Sequence, residues 1–219
     1  MKKEIAMIKH TLTLLLCLAW SLSAVAQNTV ESIRKEYQGV KEWIALMSED
    51  FPADGIPPEY YELRVLQNLA GSGPHRENIR MYYGELESEE EGDPYPPHFL
   101  RFATAEYNFA AREYREEYLF DDKGQVMFIY VLTPDVTYSM ETVRELRMWF
   151  DGDRLLRFTA KKAEGLDYID LETLRKTTFQ EEYSGTTIPD LYLNETTRCQ
   201  HRALRLLGMF ESLDENTYL

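Results

Sequence analysis

Cysteine is nearly missing from this chain, with two in 219 residues, at Cys17 and Cys199. That excludes a disulfide framework and leaves stability to an ordinary hydrophobic core. Histidine is almost as scarce at four, and none stands in a His-Glu-x-x-His or His-x-His pattern, so no zinc signature is present. After residue 26 no apolar run approaches the roughly 20 residues a membrane helix requires. Glycine and proline number only 11 and 9, and they punctuate loops at 51–58, 71–74 and 92–97 without forming a low-complexity linker.

The one apolar run lies at the start. Lys2, Lys3 and Lys9 precede it, Thr11 to Ser23 form it, and Ala24-Val25-Ala26 supplies the small residues an export peptidase needs. This predicts a cleaved leader over 1–26 and a mature chain over 27–219 in the periplasm or at the cell surface. Cys17 then leaves with the leader. Lipidation of Cys17 is disfavoured, because Leu14, Leu15 and Leu16 precede it where small side chains are wanted.

Loss of the leader sharpens the charge. The whole chain carries a formal −14; the leader holds three lysines against Glu4, a net of +2, so residues 27–219 carry −16. A field of that sign disfavours nucleic acid and anionic lipid and favours cations or basic partners. The length of the mature chain fits a single domain with a substantial core.

The hydrophobic periods predict an α+β fold: an antiparallel meander sheet with an N-terminal amphipathic helix and C-terminal helices. Val30, Ile33, Tyr37, Val40, Ile44 and Met47 recur in steps of three and four, which places one apolar stripe on a helix over 29–49. Pro52, Pro57 and Pro58 stop it. From Tyr60 the period changes to two: Tyr61, Leu63, Val65 and Leu69 share one face, and further strands follow over 79–83, 99–108 and 112–120. The first two are expected to pair as a hairpin with a longer loop. The sheet is expected over about 60–161, and the last third returns to helix over about 169–183 and 195–210, joined by 186–194.

An internal similarity lies in the middle of the chain. Residues 118–128 (YLFDDKGQVMF) parallel 148–158 (MWFDGDRLLRF), each reading strand, Asp/Gly turn, strand. Val126 to Leu132 is apolar on both faces, which predicts a central strand covered on both sides, one cover being the N-terminal helix. The leader, the first helix and these aromatic-x-Phe-Asp-x-x-Gly hairpins resemble small exported envelope proteins of unknown function from Gram-negative bacteria. That resemblance covers about Tyr60 to Thr159 and implies an envelope location and a meander sheet; it implies no activity.

Candidate chemistry is thin. His75 and His98 follow prolines in loops, and Cys199 and His201 sit about 200° apart on a helix, too far around the axis to act as nucleophile and base. Ser72 belongs to turn chemistry. Glu85, Glu87, Glu89, Glu90, Glu91 and Asp93 form an acidic loop, read as solvated, with at most weak binding of a divalent cation because the ligands lack a fixed interval. The 15 Tyr, 10 Phe and 3 Trp offer a second possibility. Tyr82, Arg147 and Trp149 fall opposite their more apolar strand neighbours, either as a ligand platform or as packing beneath the C-terminal helices. Two function classes follow. The first is a noncatalytic exported domain that binds a protein, peptide or glycan through a sheet face or the acidic loop, with no cofactor. The second is a hydrolase using two carboxylates, for which no spacing singles out a pair.

Overall fold

The structure, a computed structural model, describes residues 28–46, 59–88, 96–110, 112–134, 142–164, 173 and 176–217. Eight strands form one antiparallel sheet in sequential order: β1 (Tyr60–Leu69), β2 (Gly73–Glu85), β3 (His98–Phe109), β4 (Arg112–Phe120), β5 (Val126–Pro134), β6 (Val143–Asp151), β7 (Arg154–Ala163) and β8 (Gln180–Gly185). Helix α1 (Val30–Ala45) lies at one end of the chain and α2 (Asp190–Thr217) at the other. The meander and the α+β class expected from the alternating patterns are both present.

Alternation along each strand sorts side chains onto two faces, and each face packs under one helix. Under α1, Ile33 and Val40 meet Tyr82, Phe102, Leu119, Phe128 and Trp149. Under α2, Cys199, Ala203, Leu206 and Phe210 meet Met81, Tyr118, Ile129, Met148 and Phe158. The central β5 is covered on both sides, since Phe128 belongs to the first cluster and Ile129 and Val131 to the second. Helix α1 starts where Thr29 and Ser32 cap each other reciprocally, Thr29 Oγ1 accepting from Ser32 N at 3.1 Å and Ser32 Oγ from Thr29 N at 2.9 Å.

The repeated hairpins are structurally equivalent. Each carries a register irregularity at the matching place, between Leu119 and Phe120 in one and between Trp149 and Phe150 in the other. Each turn uses a glycine at positive φ, Gly124 at 75° and Gly152 at 58°, a region that L side chains seldom enter.

Three expectations need correction. The loop between β1 and β2 is short, only Ala70 to Ser72, because β2 begins at Gly73. Residues 180–183, expected in a helix, are strand: β8 pairs with β7, Ala160 opposite Tyr183 and Lys162 opposite Gln180. Helix-forming Gln and Glu there are overridden by tertiary pairing, since Glu182 lies 3.2 Å from Arg144 and 3.6 Å from Lys162. The C-terminal helix begins at Asp190, inside the expected connection, and runs to Thr217. No helix among the described residues is long and apolar enough to cross a membrane.

Candidate functional site: a polar band beside the first helix

On the α1 face one row of cross-strand neighbours is aromatic and apolar: Tyr60, Tyr82, Phe102, Leu119, Phe128 and Trp149. The helix covers that row. The next row runs through all eight strands as Glu62, Arg80, Thr104, Glu117, Tyr130, Arg147, Thr159 and Ser184. The row beyond it is Arg64, Asn78, Glu106, Arg115, Leu132, Glu145, Lys161 and Glu181. Sixteen positions thus contain a single aliphatic residue, and their five cations and five carboxylates balance. Such balance, on a chain so acidic, removes any strong field from this face.

The band is only partly satisfied from within. Asn78 Oδ1, Arg80 Nε, Glu145 Oε1, Arg147 Nε and, at its border, Trp149 Nε1 are buried without a hydrogen-bond partner. Buried polar atoms are nearly always paired, so a cluster of orphans on one face is unusual. Arg80 lies over the Tyr60 ring at 5.6 Å, Arg147 over Tyr130 at 5.6 Å, and Arg34 of α1 over Trp149 at 5.3 Å.

The centre of the band is different. Glu117 is 2% exposed and accepts from Tyr37 Oη at 2.5 Å, Lys41 Nζ at 3.0 Å and Arg115 Nε at 2.8 Å. Burial pushes its carboxyl up, but the Lys41 and Arg115 charges outweigh that and hold it below the ordinary 4.5. Arg115 also reaches Glu106. This group ties α1 to β4.

Its neighbour Glu116 points to the other face. It accepts from Tyr107 Oη at 2.7 Å, Tyr118 Oη at 2.5 Å and Arg198 Nη2 at 2.5 Å, with Arg202 Nε at 3.2 Å. Glu116, Glu195 and Cys199 bring three possible metal-ligand atoms within 4.8 Å of one another. Arg198 Nη2 sits among them, donating to Glu116, to Glu195 Oε1 at 2.7 Å and to Cys199 Sγ at 3.6 Å. A guanidinium already supplies the positive charge that an ion would bring there, and burial foremost, with Glu116 beside it, pushes the Cys199 thiol up, away from the thiolate a metal needs.

The residues singled out from sequence fall in three places. Tyr82 and Trp149 do not form an open platform, since each is 2% exposed, and the cover is the N-terminal helix α1, whose Ile33 and Val40 pack on that row, and not the C-terminal helix expected there, which packs on the opposite face. Arg147, 38% exposed in its side chain, stands in the polar band and donates to Glu145 Oε2 at 3.0 Å. Glu87 is exposed after β2, whereas Glu89, Glu90, Glu91 and Asp93 lie outside the described residues, as do residues 1–26, where a leader is expected. Of the histidines, His75 is half-buried with Nδ1 2.6 Å from Asn108 O, and His98 is buried against Asp214 Oδ1 at 2.9 Å, so neither is a solvated loop residue. Cys199 is buried and His201 exposed, on different sides of α2 as the spacing required.

Glu116, Glu117, Arg80 and Arg115 were missed from sequence. Their strand assignment was correct, but charged residues in a strand read as its wet side, and the partners that bury the glutamates lie about 80 residues away in the chain. A cavity of about 330 Å³ beneath the middle of α2, between the turns at Gly124 and Gly152, is lined by Val126, Phe150, Gln200 and Leu204. It holds none of the charged groups described above. No protein family, curated protein or solved structure matches this chain.

Proposed function

We propose that this chain is an exported, noncatalytic domain of the bacterial envelope that binds an extended peptide, protein segment or glycan along the polar band beside α1. One observation carries the reading: two adjacent rows of hydrogen-bonding side chains cross all eight strands and leave Arg80 Nε, Arg147 Nε and Asn78 Oδ1 without a hydrogen-bond partner. At about 4.8 Å per strand the row is about 34 Å long, the length of an extended peptide of about ten residues. Charge balance along it suits a partner rich in amides or hydroxyls, and argues against simple steering of a highly charged one.

A carboxylate hydrolase needs two facing carboxyls, one of them held protonated. Glu117 is held ionised by two cations, and Glu116 is turned to the opposite face among arginines and tyrosines. Among the described residues, nothing favours that second reading.

The test is a glycan array and a peptide library probed with the mature chain and with Arg80→Gln and Arg147→Gln variants whose circular dichroism matches wild type. Specific binding that falls at least about tenfold in both variants supports the band, since a buried charged donor to a ligand contributes roughly that much. Binding that both variants retain in full would place the site elsewhere. Export is checked separately: the mass of material from the envelope fraction should begin at Gln27, and an intact Met1 to Ala26 there would contradict it.

A further inference from the structure

The two edges of the sheet are built differently. β8 is six residues long and its Glu182 is engaged by Arg144, Lys162 and Tyr192. β1 is ten residues long, has no proline, and pairs with β2 in unbroken register from Tyr60 to Leu69. Among the described residues no strand lies on its outer side. That side presents a row of backbone donors and acceptors together with Leu66, 75% exposed, and Leu63, 36% exposed. Its two charges, Glu62 and Arg64, are of opposite sign and pair with each other at 2.8 Å, so the edge carries no net charge, and a long, regular edge of that kind invites another strand.

The sequence of β1 specifies which strand. Two copies meeting antiparallel about a twofold axis perpendicular to the sheet keep like faces together, so the axis must pass through a residue. With the axis at Leu63, Glu62 lies opposite Arg64 of the partner subunit and Arg64 opposite Glu62 of the partner subunit. The same register sets Leu63 against its own copy, Tyr61 opposite Val65 of the partner subunit and Tyr60 opposite Leu66 of the partner subunit, apolar against apolar. An axis at Glu62 or Arg64 puts like charges face to face, and one at Val65 sets Arg64 against Leu66. We propose that β1 pairs with β1 of a second copy of this chain about an axis at Leu63, joining the two eight-stranded sheets edge to edge.

Pairing in this register also aligns Glu62 of one polar row with Arg64 of the other, so the polar band runs on across both subunits.

The experiment is sedimentation velocity of the mature chain over a concentration series, with Glu62→Arg, Arg64→Glu and an equimolar mixture of the two. Wild type is expected to dimerise. Each variant alone sets like charges opposite at both crossings and is expected to self-associate at least about tenfold more weakly. In the mixture the two arginines of one variant face the two glutamates of the other, so a heterodimer is expected to return, which also shows that both variants are folded. A wild type that stays monomeric to high micromolar concentration would overturn the proposal. So would variants that dimerise as wild type does, or a mixture that stays monomeric while both variants keep the wild-type circular dichroism. A monomer that instead takes up a synthetic peptide of the β1 sequence plus foreign strand peptides equally well would show strand addition without self-recognition, and would overturn it too.

Discussion

Glu116 and Glu117 are adjacent in β4, yet one serves α2 and the other serves α1, because successive strand residues face opposite ways. Both are essentially buried, at 0% and 2% exposed. Their partners differ in kind. Glu116 is held by Arg198 and Arg202 of α2 and by two tyrosine hydroxyls, with Arg202 14% and Arg198 36% exposed in their side chains. Glu117 shares one cation from its own strand, Arg115, and takes from α1 only Tyr37 and Lys41, the latter 32% exposed and free to exchange its contact for water. The burial follows suit: α2 contributes Tyr192, Cys199, Ala203, Leu206 and Phe210 to its core, and α1 contributes Ile33 and Val40. One helix is sealed to the sheet and the other is clasped at a wet margin, next to the band proposed to bind a partner.

The largest test of that difference is Glu116→Ala. It leaves the buried Tyr107 and Tyr118 hydroxyls without their acceptor and takes from Arg198 and Arg202 the carboxylate they share, leaving each with one other, Glu195 and Glu77 respectively, and urea denaturation should show a loss of about 3–5 kcal/mol. Glu117→Ala should cost less, about 1–3 kcal/mol, because Lys41 can return to solvent and Arg115 keeps Glu106. Equal losses would remove the distinction. A third comparison uses acid. The Glu117 pKa is depressed below 4.5 in the folded chain, so its contribution is complete above the unfolded value and is lost as pH falls below 4.5 through the folded value. Melting temperatures measured from pH 7 to pH 3 should therefore fall less steeply in Glu117→Gln than in wild type. An identical slope would mean that Glu117 is not held ionised by Lys41 and Arg115. Smaller still is the effect of calcium on the acidic loop: calorimetry should find weak, unselective binding at most, and a stoichiometric micromolar site would sharpen the function toward a cation-dependent one.

Much of this architecture was legible in the residues. The period of two from Tyr61 onward, the Asp/Gly turns at Asp121 and Asp151 and the doubly apolar Val126 to Leu132 located the meander, since each is a local pattern with a local cause. Tyr82 and Trp149 were rightly set apart from their neighbours, but the sequence pattern does not distinguish a face open to water from one beneath a helix. The stretch at Gln180 to Tyr183 misled because Glu and Gln favour helix in isolation, and only the distant Arg144 and Lys162 make a strand edge of it. The polar band was hidden for another reason. Each member alone reads as a polar position in its strand's alternation, and only the eightfold register lines them into a row.

Native-state hydrogen exchange on Glu116→Gln and Glu117→Gln tests the two-clasp account most directly. The expected result is separable: faster exchange across Val30–Ala45 with Asp190–Thr217 unchanged in Glu117→Gln, and the reverse in Glu116→Gln. If both helices loosen together in either variant, or neither does, the two carboxylates do not fasten the two layers independently.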